Sequence, residues 1–272
     1  MATAVRYAEV IGDPISHSKS PLIHGFWLNK LRLEADYRAC HVTPDGLADY
    51  IASRAADPLW RGCNVTIPHK LAVMEHVADP GDVRTSIGAM NTIARGEDGA
   101  LFGTNTDAGG FYAPLSQSDF AGADVAIIGA GGAARAVLFA LSRMDVGQVT
   151  IHARNALKGM GLLAAFGLKG TVRGMADALP EADLLVNTSP LGMTGFDPLV
   201  VDLSPLPEGA VVYDIVYTPL ETGLLKAARA RRLDTIDGLE MLIGQAAFAF
   251  EIFFGAAPPR EHDDELRALL VA

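Results

Sequence analysis

Apolar runs of strand length alternate with segments of helical period along most of the chain. TAVRYAEVIG at residues 3–12 reads as a strand, Leu22, Ile23, Phe26, Trp27 and Leu31 fall on one stripe of a helix, DYRACHV reads as a second strand, and Leu47, Tyr50 and Ile51 mark a second helix. This alternation predicts βαβ units and a mainly parallel sheet covered on both faces. Between residues 91 and 104 two short runs flank Glu97, Asp98 and Gly99, and Asp-Gly between strand-like runs predicts a hairpin. A second series opens at Asp124 with ADVAIIGAGGAARAVLFALSRM and continues through QVTIHAR, ADLLVNT and AVVYDIVY, each a buried-strand signal punctuated by Gly, Ala or Pro. Two α/β lobes follow, split between residues 105 and 120. The stretch 239–254 is apolar nearly all round, as expected of a helix buried between lobes.

Composition narrows the function classes. The 272 residues are 50% hydrophobic, enough for a large core in one big domain or two medium ones. Basic residues number 22 against 32 acidic ones, for a net charge of −10, and no run of Lys or Arg is longer than the pair Arg231 and Arg232, so no nucleic-acid partner is expected. Residues 184–196 are the longest run without a charged side chain, well short of the roughly 20 apolar residues of a spanning helix, so no membrane partner is expected either. The N-terminus lacks the features of a signal peptide, and the expected location is cytoplasmic. Cys40 and Cys63 fit no metal spacing and make no disulfide framework, so buried free thiols and no metal site are expected.

The strongest single motif is VAIIGAGGAA at residues 125–134. A hydrophobic strand leads into Gly129, Ala130, Gly131, Gly132 and Ala133, with a third small residue at Ala134 and an Ala-rich helix after it, the context that a G-x-G-x-x-G/A dinucleotide fingerprint requires. Gly129 makes the tight turn, Gly131 lets backbone amides approach a pyrophosphate, and the helix N-terminus supplies partial positive charge. About 20 residues on, an NAD site would place an acid to accept hydrogen bonds from the ribose. Here VTIHAR ends in Arg154, with Lys158 four residues later and no acid between. A guanidinium there can grip a 2′-phosphate and stack on adenine, which implies NADP, whereas an exposed arginine at a strand end is the plainer alternative.

Three N-terminal segments are polar where their surroundings predict core: GDPISHSKSPLIH, GCNVTIPHK, and GAMNT with GTNTDAGGF. With the fingerprint, and with NTSPLGM, DIVYTPLET and GLEMLIGQAAFAFEIF further on, they closely resemble the shikimate dehydrogenase family over essentially the whole chain. The resemblance implies reversible, NADP-dependent reduction of 3-dehydroshikimate to shikimate on the route to aromatic amino acids. Its fold is α/β and two-lobed, with an N-terminal substrate-binding domain at residues 1–106, completed by C-terminal helices at 239–272, and a doubly wound Rossmann NADP-binding domain at 107–238. Ser18 and Ser20 match serines that hold the substrate carboxylate, although helix capping before Pro21 would also explain them. Thr66, Asn91 and Gln245 match positions that hydrogen-bond the ring hydroxyls, Tyr217 matches a tyrosine near the carboxylate, and Ile215 and Gly238 match cofactor positions.

Lys70 and Asp107 match the catalytic pair. Hydride transfer from a secondary alcohol requires the hydroxyl proton to leave, so an acid/base must stand at that oxygen. Lysine, with an ordinary pKa near 10.4, is a poor base at neutral pH unless desolvation or nearby cations lower it, and a neighbouring carboxylate favours the ammonium. Lys70 is therefore assigned as principal acid/base and Asp107 as its partner, with the carrier of the proton left open; a solvated lysine after Pro68 is the plainer reading of spacing alone. His69, His17 and His24 are left out of the site, as rings that pack or face solvent, and Met193 and Met241 are read as core. Ala153 and Asn155 replace the Asn and Thr that often flank the cofactor arginine, and His69 and Ala108 are further departures. Two rival readings are a quinate/shikimate paralogue with relaxed substrate or NAD use, and a non-catalytic dinucleotide-binding regulator. The paired serines and Arg154 speak against the first, and Lys70 with Asp107 against the second. Oligomeric state is not legible, and a homodimer stays open.

Overall fold

A computed structural model describes residues 5–272; residues 3 and 4 of the first expected strand lie outside the described residues. The chain up to Thr106 and Gln245–Ala272 form one compact unit, and Asp107–Gly244 form a second. In the first unit the chain runs β1 (Arg6–Gly12), α1 (Ser20–Leu31), β2 (Ala35–His41), α2 (Leu47–Ala55), β3 (Trp60–Val65), α3 (Val83–Ser86), β4 (Thr92–Arg95) and β5 (Leu101–Thr104). The sheet order is β2-β1-β3-β4-β5. β1 pairs in parallel with both β2 and β3, and every residue in it but Arg6 is buried, which is why its sequence reads as a near-continuous apolar run. β4 and β5 form the expected antiparallel hairpin, with Gly99 at φ +83° in its turn.

The second unit opens with α4 (Asp107–Tyr112) and continues through β6 (Val125–Ile128), α5 (Gly132–Leu141), β7 (Val149–His152), α6 (Ala156–Ala165), β8 (Gly170–Arg173), β9 (Leu184–Asn187), β10 (Val211–Asp214), α7 (Gly223–Ala230) and β11 (Asp234–Ile236). All six strands are parallel, in the order β11-β10-β9-β6-β7-β8. This is the doubly wound Rossmann order, with the switch point between β6 and β9, as the sequence predicts. Side chains alternate across the sheet: Val125 and Ile127 pack with Val137 and Leu141 on one face, and Ala126 and Ile128 with Leu185 and Leu225 on the other. Each Val, Ile or Leu among them, fully buried, contributes about 1.5–3 kcal/mol. The edge strands β8 and β11 were not expected. β8 is half exposed and β11 has three residues, so neither carries a buried-run signal.

The last helices are α8 (Gly238–Phe254) and α9 (Asp263–Val271). The chain passes back to the first unit inside α8, because Met241 near its start packs in the core of the second unit. Contrary to expectation, α8 is not buried all round: Phe248 and Ile252 are exposed, one turn apart, beside Glu251. An apolar side chain does not by itself require burial. No helix among the described residues is long and apolar enough to cross a membrane. Both cysteines are free thiols; Cys63 is buried as expected, whereas Cys40, on the edge strand β2, is only half-buried.

The buried face of α1 also differs from the expected stripe. Ser20, Ile23, His24, Trp27 and Leu28 are buried, while Leu22 is exposed. The helix is turned so that His24, fully buried, stacks on Tyr37 of β2 with centroids 3.9 Å apart and planes 2° from parallel. Trp27, Phe250 and Phe253 complete the aromatic cluster. Neither His24 ring nitrogen has a hydrogen-bond partner among the described residues, and burial lowers its pKa from the usual 6.5 to about 3. The unfolded chain therefore takes up a proton below pH 6.5 that the folded chain refuses until about pH 3. The resulting stability is complete above pH 6.5 and is lost as pH falls through that window, at up to ~1.4 kcal/mol per pH unit. His24→Phe should flatten the dependence of Tm on pH below 6.5 relative to the unaltered protein; parallel curves would show that His24 is not the group responsible.

Candidate active site

In the first unit, the expected substrate residues stand at the ends of strands. Ser18 lies half-buried in the loop after β1, its Oγ accepting from the Ser20 backbone N–H at 3.3 Å, and Ser20 is buried as the first residue of α1. The N-cap position is Lys19, whose side chain makes no capping bond, while Ser18 Oγ takes the first N–H of α1, so Ser18 also serves the helix start. Thr66 follows β3, its backbone N–H donating to Ile11 O at 2.9 Å and its carbonyl accepting from His69 N at 2.9 Å. That turn carries Lys70, half-buried, whose carbonyl accepts from Met90 N at 2.9 Å. His69 is buried and its Nε2 donates to Val42 O at 2.7 Å, so the ring holds the turn rather than serving chemistry.

Asn91 and Gln245 are brought together. Asn91 is buried just before β4; its Nδ2 donates to Thr106 Oγ1 at 2.9 Å and to Gln245 Oε1 at 3.4 Å, and its Oδ1 accepts from Thr106 N at 2.7 Å. The chain crosses from the first unit to the second between Thr106 and Asp107, and returns between Gly244 and Gln245, so both crossings are flanked by expected site residues. Asp107, buried, is the first residue of α4, where the helix dipole favours a carboxylate.

In the second unit, Gly129 sits at φ +110°, and a Cβ there would lie 2.8 Å from Thr188 Oγ1, so the turn after β6 excludes any larger residue. Beside Gly131 a Cβ would meet no protein atom, leaving open space at the N-terminus of α5, which has neither a side-chain cap nor an acid in its first turn. Ala130, Gly132 and Ala133 are partly exposed around that opening, whereas Ala134 is fully buried. A pyrophosphate fits this cradle of uncapped amides. Arg154 and Lys158 are both exposed beyond β7, at the start of α6; Asn155 between them caps α6, its Oδ1 accepting from Lys158 N at 3.0 Å. Ile215 and Gly238 meet directly: a Cβ on Gly238 would stand 2.4 Å from Ile215 O. Tyr217 is half-buried in the same loop, and desolvation pushes its phenol up. Met241 is buried in the core.

Comparison with known proteins settles the family. Residues 10–93 match the model of the shikimate dehydrogenase substrate binding domain, and residues 238–263 that of the shikimate 5′-dehydrogenase C-terminal domain. A shikimate dehydrogenase (NADP(+)) from Sphingopyxis alaskensis is 68% identical over 98% of this chain and 97% of its own length. The chain belongs to the shikimate dehydrogenase family. Among solved structures, the shikimate 5-dehydrogenase of Thermus thermophilus in complex with NADP(H) and shikimate superposes with a TM-score of 0.86 at 34% identity, covering 98% of this chain and 99% of that one. A quinate dehydrogenase from Corynebacterium glutamicum in complex with NAD gives 0.87 at 28%, covering 97% and 99%.

Further polar side chains beyond the expected set are buried, among them Tyr37, Asn64, Thr92 and Thr106 in the first unit. In the second, Asp214 is fully buried, its Oδ1 accepting from Asn187 Nδ2 at 2.9 Å and Val216 N at 3.1 Å and its Oδ2 from Thr222 Oγ1 at 2.7 Å. Burial pushes this carboxyl up in pKa. The clasp ties the loop after β9 to the loop that carries Ile215 and Tyr217, and Thr222 also caps α7. A signal was available: a polar residue inside an apolar run, as in GCNV and VVYDIV, must find partners once buried. Asp214→Ala would take the acceptor from the Val216 N–H and the Thr222 hydroxyl and leave Asn187 Nδ2 only Leu191 O, and should cost about 3 kcal/mol or more in urea unfolding, against a smaller loss for Asp214→Asn.

Proposed function

We propose that this chain interconverts shikimate and 3-dehydroshikimate with NADP, in the cytoplasmic synthesis of aromatic amino acids, and that Lys70 and Asp107 serve as its acid/base pair. The observation that carries the reading is the identity of 68% to a shikimate dehydrogenase (NADP(+)) across nearly the whole length of both chains. Bound NADP gives or takes the hydride. The protein's own residues do the rest. Ser18 and Ser20, with Tyr217, hold the substrate carboxylate through neutral hydroxyls. Thr66, Asn91 and Gln245 hold the ring hydroxyls. In shikimate oxidation the hydroxyl proton passes to the Lys70–Asp107 pair as the carbonyl forms, with Lys70 as the principal acid/base, and in the reverse direction the pair returns that proton to the oxygen. Asp107 orients the lysine and offers a second acceptor for the same hydroxyl. The Gly129–Ala133 turn receives the pyrophosphate, and Arg154 with Lys158 receives the 2′-phosphate. The cationic pair with no acid beside it is what supports NADP over NAD.

Lys70→Ala should lower kcat by about 10²–10⁴-fold while shikimate affinity stays within about tenfold, and turnover near that of the unaltered protein would remove Lys70 from the chemistry. Arg154→Ala should raise KM for NADP by about ten- to a hundredfold and leave KM for NAD nearly unchanged, since a charge-assisted contact of ~1.5–3 kcal/mol is lost only with the phosphate. Initial rates with shikimate and quinate, each against NADP and NAD, test the whole assignment. Fast reduction confined to shikimate with NADP is expected. Comparable rates with quinate or NAD would point to the broader paralogue, and silence in all four with cofactor binding intact would point to a regulator.

A further inference from the structure

A continuous line of hydrogen bonds crosses the first unit from β2 to α8. Tyr37 donates its phenol proton to Asn64 Oδ1 at 2.6 Å, Asn64 Nδ2 donates to Thr92 Oγ1 at 3.1 Å, and Thr92 Oγ1 donates to Asn91 Oδ1 at 3.1 Å. Asn91 Nδ2 then donates to Gln245 Oε1 at 3.4 Å. All five side chains are buried, so none of these groups can exchange its partner for bulk water.

The direction of the line is fixed at its Asn91 end. The Thr106 backbone N–H can only donate, and it meets Asn91 Oδ1 at 2.7 Å. The other Asn91 terminus is therefore the NH2, which commits the carbonyl oxygen of Gln245 to Asn91 and leaves the Gln245 NH2 as the end that can donate elsewhere. At the far end the Tyr37 hydroxyl donates to Asn64 Oδ1 while Asn64 Nδ2 donates to Thr92 Oγ1, so both ends of the Asn64 amide are held. The Tyr37 ring itself cannot swing away, stacked on His24 at 3.9 Å with Phe253 at 6.3 Å. Without the phenol hydroxyl, the Asn64 amide could turn over and present its oxygen to Thr92, drawing the Thr92 proton off Asn91.

We propose that Tyr37, which belongs to no expected binding set, is a positioning residue for the substrate: its hydroxyl holds Asn64 Oδ1, and through Asn64 and Thr92 it supports a second donor to Asn91 Oδ1, whose amide ends the Thr106 N–H sets, so that Asn91 and Gln245 are held where they meet the ring hydroxyls. This rests on the reading of Asn91 and Gln245 given under Proposed function. Tyr37→Phe keeps the ring and its stack on His24 and removes only the hydroxyl. Thr92→Val cuts the same line one link further on, and serves as well if the first variant does not fold. In each, KM and the calorimetric Kd for shikimate should rise about five- to twentyfold, while kcat and KM for NADP stay within about twofold. Shikimate analogues lacking single ring hydroxyls separate orientation from general loosening. Removing the hydroxyl held by Asn91 and Gln245 should cost less affinity in the variants than in the unaltered protein, whereas loosening would weaken every analogue alike. Unchanged shikimate affinity in both variants, or equal losses for shikimate and NADP, would overturn the assignment. If the unaltered protein does not oxidise shikimate with NADP, the functional reading falls and this one with it; if it is active and the variants match it, only the role of Tyr37 falls.

Discussion

The backbone N–H of Thr106 has Asn91 Oδ1 as its acceptor at 2.7 Å, and the organisation of the first unit's polar cluster follows from that bond. A main-chain N–H cannot reverse its role, so it decides which end of the Asn91 amide is which, and through Asn91 the end of Gln245 that faces inward. Gln245 is far away in sequence, on the helix that returns after the second unit, and Thr106 is the last residue before the chain leaves for that unit. Both crossing points are thus tied to one buried side chain. Loosening Asn91 would disturb two segments that carry expected site residues, one leading to Asp107 and one beginning at Gln245.

In the proposed function the second unit solves a different problem, the close approach of backbone to a large anionic cofactor. The turn after β6 is confined on one side by Thr188, which leaves no room for a Cβ at Gly129, and open on the other at Gly131. The open side faces uncapped helix amides, and that is where negative charge is stabilised. Farther along the same sheet edge, Asp214 gathers Asn187, Val216 and Thr222, and desolvation raises its pKa. Its three neutral donors fix the loops on either side, which positions Ile215 against Gly238.

Local patterns were legible where one constraint acts on consecutive residues. The strands β1, β6, β7, β9 and β10, the hairpin of β4 and β5, and the glycine turn before α5 all carry their signal in a few adjacent positions. The edge strands β8 and β11 were not legible, because a half-exposed or three-residue strand is defined by its neighbour's hydrogen bonds rather than by its own composition. The face of α1 was read one position off, since a stacked, neutral imidazole takes a core place that hydrophobicity alone would give to leucine. Motif residues such as Ser20, Thr66, Lys70 and Asp107 could be named from resemblance, but not the partners that hold their surroundings.

By itself, then, the sequence determined the alternation of elements, the doubly wound cofactor unit, the cationic pair that follows its second strand, and membership of the family through motifs in fixed order. Those features depend on neighbours in the chain. Tertiary structure alone decided that Tyr37, Asn64, Thr92, Asn91 and Gln245 form one directed line, that Asp214 clasps two loops, and that His24 is buried neutral. Burial removes water as an alternative partner, and only the fold determines which polar groups, distant in sequence, must then satisfy one another.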